Sequence, residues 1–179
     1  MKKLITTLLA LCLTTTASFS DVKLGIIIGF TGPIESLTPD MAAGAELAID
    51  EVNKSGSFSM GKVSGIRADS TCIDSSAATA AAERLITSDK VNGIMGADCS
   101  GVTTAILQQV ALANGMVMVS PSATSPALST VEDNNLFFRT APSDARQGQV
   151  IADILQEKGM NSVATVSYTH LTLPTSDLV

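Results

Sequence analysis

The stretch Val91–Pro126, VNGIMGADCSGVTTAILQQVALANGMVMVSPSATSP, reads as strand, polar loop, helix, strand, polar loop. Apolar residues crowd Val91–Gly96 and Met116–Val119, and the run between them predicts a helix over Thr103–Ala113, closed by Asn114-Gly115. In a strand–helix–strand unit the strands are parallel, and parallel strands deliver the loops at their C-terminal ends to one sheet edge, where ligands collect. Both loops are rich in hydroxyls and small residues. Ser100 precedes the helical run, so its hydroxyl and the unpaired N–H groups behind it suit a small anion such as a carboxylate. Ser122 and Thr124 arrive on the neighbouring strand end.

Outward from this unit the alternation continues. Val22–Phe30 is a near-continuous apolar strand, turned by Thr31–Pro33 into a helix with Met41, Ala45, Ala48 and Val52 at helical spacing and Gly56 as its stop. Lys62–Ala68 predicts a second strand. Asp74 or Ser75 caps an alanine-rich helix through Ile86, with Ala78, Ala82, Leu85 and Ile86 on one face. Downstream, Leu136–Arg139 reads as a strand, Asp144–Lys158 as a helix and Val163–Val166 as a further strand. Alternating strands and helices predict an α/β fold with a doubly wound, mostly parallel sheet.

Composition narrows the function classes. With 179 residues, 45% hydrophobic and 16% charged, the chain has a globular balance and enough length for one sizeable core. Its net charge is −6 and no basic cluster lies beyond the first few residues, which argues against nucleic acid as a partner. Without tryptophan, and with one tyrosine and five phenylalanines, it has little aromatic surface for stacking bases or sugars. Gly25 and Gly29 do not form a GxGxxG fingerprint and no GxxxxGK[ST] loop occurs, so no nucleotide cofactor is expected.

The N-terminus has the layout of an export signal: Lys2 and Lys3, the apolar run Leu4–Leu13, then small residues. Cleavage after Ser20 leaves Asp21 as the mature start, and a cut after Ala17 is the alternative. The run is shorter than the roughly 20 apolar residues a membrane span needs, and Leu11 is too bulky to precede a lipidated Cys12. A periplasmic product is expected. Removing the leader leaves Cys72 and Cys99, each just after a predicted strand. A disulfide and a pair of buried thiols both fit this placement, whereas a metal site lacks a nearby histidine.

Six segments in order, from about Val22 to Val166, carry a resemblance: VKLGIIIGFTGP, MAAGAELAIDEVNKSG, the STC and GADCSG cysteine segments, SPSATSPAL and FFRTAPSDARQG. They resemble the periplasmic binding proteins of branched-chain amino acid ABC transporters. The resemblance implies the type I periplasmic binding fold, two doubly wound lobes joined by three crossovers that close on a ligand. It implies that the ligand is handed to an inner-membrane permease with no chemistry performed. It also implies a Cys72–Cys99 disulfide, Ser100 as the group that binds the ligand carboxylate, and Ser122, Ala123 and Thr124 as holders of carboxylate and ammonium. Two positions depart from it. Leu37 stands where an aromatic pocket wall is expected, and Asp98 where an apolar residue is expected. A carboxylate facing an aliphatic ligand is costly, so Asp98 either alters specificity or points to solvent.

The expected organisation is a leader over 1–20, an incomplete first lobe over 21–142, the start of a second lobe over 143–166, and a tail over 167–179. That tail, SYTHLTLPTSDLV, departs from the family pattern and resembles translated sequencing-adaptor sequence, so His170 within it is not recruited to any site. Three function classes follow. Solute capture for an ABC importer leads, with an amino acid or similar carboxylate-bearing solute as ligand. An extracytoplasmic sensor module on the same fold is the alternative. A secreted hydrolase using Ser100 or Ser120 lacks both a base and a GxSxG elbow.

Overall fold

The computed structural model describes residues 21–59 and 61–164. The expected leader 1–20, the strand end at 165–166 and the tail with His170 lie outside the described residues. Strand β1 (Val22–Ile28) ends in four consecutive buried residues, a pattern that requires cover on both faces of the sheet. It pairs in parallel with β2 (Val63–Asp69) on one side and β3 (Gly93–Gly96) on the other. Beyond β3 lie β4 (Met118–Ser120) and β5 (Phe137–Arg139), also parallel, giving the order β2-β1-β3-β4-β5. This is the doubly wound arrangement expected from the sequence. The winding direction reverses between β1 and β3, and that reversal is where such sheets open a crevice.

The helices follow their local signals. α1 (Thr38–Ser55) has Pro39 in its first turn and ends at Gly56, whose φ of 65° is the left-handed stop. α2 (Ser75–Thr87) is capped by Asp74, whose carboxylate accepts from the N–H groups of Ser76 and Ala77. α3 runs as an α-helix over Ser100–Ile106, widens into a π turn over Leu107–Ala111 and closes over Leu112–Asn114 before left-handed Gly115. α4 (Asp144–Glu157) is capped by Ser143.

Two differences from expectation have local causes. The helix expected from Thr103 begins at Ser100, because Cys99, in extended conformation, takes the cap position and its carbonyl accepts both the N–H and the hydroxyl of Thr103. The strand expected from Val163 is not formed over Val163 and Ala164.

Helices α2 and α3 cover one face of the sheet. Ile27, Ile94, Met118 and Phe137 pack there against Ala78, Ala82, Leu85, Ile106 and Leu107 in one continuous core. The opposite face is covered only over its β1 half, where Ile26, Ile28 and Ala42 meet beneath α1. One row of residues runs across that face, Ile26–Met95–Val119–Phe138. Along it exposure rises from 1% at Ile26 to 38% at Val119 and 53% at Phe138. Among the described residues no helix is long and apolar enough to cross a membrane.

Candidate functional site

The C-terminal ends of all five strands meet at one edge, and the loops there differ in what holds them. The tips of β1, β2 and β3 are joined by Asp98. Its Oδ2 accepts from the Gly29 N–H at 2.8 Å and its Oδ1 accepts from the Ser70 hydroxyl at 3.0 Å. Asp98 is only 3% exposed, so it does not point to solvent, and both carboxylate oxygens are satisfied within the protein. A buried carboxylate is tolerated on that condition. Gly29 leaves room for it: a Cβ there would stand 3.2 Å from Asp98 Oδ2 and 3.3 Å from Cys72 Cβ.

A disulfide between Cys72 and Cys99, with Cα atoms 5.2 Å apart, ties the loop after β2 to the loop after β3. Asp69 ties the loop after β1 to β2. Its Oδ2 accepts from the Thr31 hydroxyl at 2.6 Å, and its Oδ1 accepts from the N–H groups of Thr31 and Thr71. Burial pushes the Asp69 carboxyl up. Hydrogen bonds from the Thr31 hydroxyl and from the backbone of Thr71, Thr31 and Phe30 outweigh it and hold the group below the usual carboxylate range. Gly32, at φ 101°, lies so close to the Thr71 carbonyl that any side chain would collide with it. Thr38 closes the same loop by donating to the Gly29 carbonyl. Leu37, just before it, is 63% exposed at this edge.

The tips of β3 and β4 carry the hydroxyls. Ser100 Oγ accepts two backbone N–H bonds, from Thr124 and Ser125, each at 3.1 Å. Its hydroxyl proton has no acceptor among the described residues. Ser122 donates to the Asp98 carbonyl at 3.1 Å. Ala123 is fully buried and donates its N–H to Ser120 Oγ. Thr124 donates its hydroxyl to Asp144 Oδ2 at 3.0 Å, and its carbonyl accepts from the Asp144 N–H at 2.9 Å. Ser100, Ser122 and Thr124 are therefore brought together at one edge. Leu37 shares the edge, and Asp98 lies beneath it.

Sequence reading did not single out Arg139 or Asp144. Arg139, on β5, donates to the carbonyls of Ala123 and Ser125 and so holds the Ser122–Ser125 loop from below. Asp144 opens α4 and joins that helix to the same loop. A shallow cavity of about 360 Å³ lies between them, with Thr124, Asp144, Val150 and Ile151 on its walls. Ser120, one of the two candidate nucleophiles, is buried and donates to the Ala97 carbonyl. Among the described residues neither Ser100 nor Ser120 has a histidine or carboxylate as hydrogen-bond partner.

This constellation sits on a fold with known relatives. The family described as "Receptor family ligand binding region" matches residues 40–176. The chain belongs to that family. As a receptor-family ligand-binding region, it is similar to the Leu/Ile/Val-binding protein homolog 3 of Brucella melitensis, 31% identical over 151 residues. That alignment covers 84% of this chain and 40% of the relative, so the chain spans about two fifths of the length of the curated relative it matches.

Among solved structures, the chain resembles the branched-chain amino acid transporter substrate-binding protein of Streptococcus pneumoniae in complex with isoleucine. The TM-score is 0.69 at 27% identity, covering 78% of this chain and 39% of the other. It also shares its fold with a solute-binding protein of an ABC transporter from Rhodopseudomonas palustris in complex with 3,4-dihydroxybenzoic acid. There the TM-score is 0.68 at 23% identity, covering 78% and 37% of the two chains. The relatives named here are binding proteins rather than enzymes.

Proposed function

We propose that this chain contributes the first-lobe half of the ligand site in an exported solute-binding component of an ABC importer, and that the solute is an amino acid. In this reading residues 21–142 belong to that lobe, which they leave incomplete, and residues 143–166 begin the second. The observation that carries this reading is the Ser100 hydroxyl. Two N–H groups occupy its lone pairs, so the proton is left for an acceptor arriving at the sheet edge, as a ligand carboxylate would. Ser122 and Thr124 lie beside it with oxygen lone pairs to spare. The relatives' names support the same class, and an inner-membrane permease is the partner such a component serves.

Calorimetry on the full-length protein tests the reading with leucine, isoleucine and valine in one set and benzoate and 3,4-dihydroxybenzoate in the other. Binding is expected in the first set. Ser100→Ala removes a hydrogen bond to a charged group and is expected to weaken it by about 1.5–3 kcal/mol. Binding of the aromatic acids alone, or unchanged amino-acid affinity in Ser100→Ala, would move the site or the ligand class elsewhere.

A further inference from the structure

We propose that Arg139 is a positioning residue that acts through the Ala123–Thr124 peptide to strengthen the Ser100 hydroxyl as a donor to a ligand carboxylate, an inference that rests on the amino-acid reading above. Arg139 stands opposite Ser120 in the β4–β5 register. Its Nη1 donates to the Ala123 carbonyl at 3.2 Å and to the Ser125 carbonyl at 2.8 Å, and its Nη2 donates to the Ser129 hydroxyl. All three acceptors are neutral. Among the described residues no carboxylate forms an ion pair with Arg139, so its positive charge stands without a counter-charge. A neutral donor would suffice to hold two carbonyls; the charge is what an arginine adds.

The Ala123–Thr124 peptide carries the effect of that charge onward. Its carbonyl accepts from Arg139, and its N–H, on the opposite side of the planar unit, donates to Ser100 Oγ at 3.1 Å. The next peptide repeats the arrangement. The Thr124 carbonyl accepts at 2.9 Å from the Asp144 N–H, the first of α4, and the Ser125 N–H donates to Ser100 Oγ at 3.1 Å. Hydrogen bonds in series polarise one another, and a helix N-terminus carries partial positive charge. Two peptides, each with a positive source at its carbonyl, therefore converge on one oxygen. Both draw electron density from Ser100 Oγ, and the proton it has left to give becomes a better donor, above all to an anion. The relay thus favours a carboxylate over a neutral acceptor of the same shape.

The experiment compares leucine, isoleucine and valine with their carboxamides, such as leucinamide, by calorimetry on the full-length protein. The amide keeps an acceptor oxygen and loses the negative charge. Wild type is expected to prefer the amino acids. Arg139→Gln keeps a donor and removes the charge, and is expected to lower that preference by about fivefold or more. In a Ser100→Ala background the same substitution is expected to leave the preference unmoved, because its path to the ligand runs through that hydroxyl. A purely structural role would weaken both ligand sets by the same factor, and that result overturns the proposal. So does an equal loss of preference with and without the Ser100 hydroxyl. If Arg139→Gln does not fold, Arg139→His decides the matter by titration: relative to wild type, its preference should fall as the imidazole loses its charge, between about pH 5 and 8. A preference that stays level with wild type across that range overturns the proposal. An unchanged preference in Arg139→Gln does so too and leaves the amino-acid reading intact, whereas wild type binding none of the amino acids overturns that reading and this inference together.

Discussion

The two halves of the sheet edge are built from the same strand-end loops but held by different means. At the tips of β1, β2 and β3, a buried carboxylate and a disulfide lock three loops to one another, and the Asp69 bracket adds more exposed hydrogen bonds. At the tip of β4, the Ser122–Ser125 loop is anchored by one buried bond, from the Ala123 N–H to Ser120, and is otherwise held by part-buried or exposed hydrogen bonds to Ser100, Arg139 and Asp144. Groups with many buried, satisfied partners open only with the whole fold, whereas exposed hydrogen bonds open locally. The molecule thus places Ser122 and Thr124 on the more lightly held half, and Ser100, next to the disulfide-bonded Cys99, on the locked one.

Removing Asp98 is the strongest way to break this contrast. Asp98→Ala leaves the Gly29 N–H and the Ser70 hydroxyl buried without a partner, and is expected to cost about 3–5 kcal/mol of stability in urea unfolding. A loss no greater than that of a surface substitution would show that the locked half is not locked by this group. Next comes the disulfide, which closes a span with a sequence separation of 27. Replacing Cys72 and Cys99 together by serine is expected to cost about 2–4 kcal/mol. Reductant should lower the melting temperature of wild type and leave that of the double variant unmoved.

Asp69 gives the contrast a pH dependence. Its folded-state carboxyl is held low, so its contribution to stability is fully present above the unfolded-state value, about pH 4, and is lost as pH falls through the folded value. The gap in melting temperature between wild type and Asp69→Asn should therefore be widest near neutral pH and close in acid. A gap independent of pH would remove Asp69 from the bracket. The smallest effect is expected on the lightly held side. Thr124→Ala should change stability by about 1 kcal/mol or less, since the bond it loses is exposed. A cost matching that of Asp98→Ala would erase the difference between the halves.

Much of the frame was readable from local chemistry. The spacing of Met41, Ala45 and Val52, the Asp74 cap and the stops at Gly56 and Gly115 each act within a turn or two of chain, so sequence alone announces them. The grouping of Ser100, Ser122 and Thr124 at one edge followed from parallel topology. The environment of Asp98 did not, because its partners Gly29 and Ser70 are 69 and 28 residues away. A burial set by such distant partners leaves no periodic trace. Asp144 was visible only as the start of a helix, for its pairing with Thr124 spans 20 residues and a strand.

The π turn at Leu107–Ala111 has a consequence for how this sequence tolerates change in length. A π turn holds one residue more than an α turn over the same stretch of axis. Gln108 and Gln109 within it are exposed, while Leu107, Val110 and Ala111 are buried. A deletion of one glutamine can be absorbed there by rewinding, without shifting Ser100 at one end of the helix or β4 at the other. Elsewhere in the sheet layer a one-residue change would invert the facing of a strand. This helix is therefore an element of the lobe in which a one-residue deletion can be absorbed.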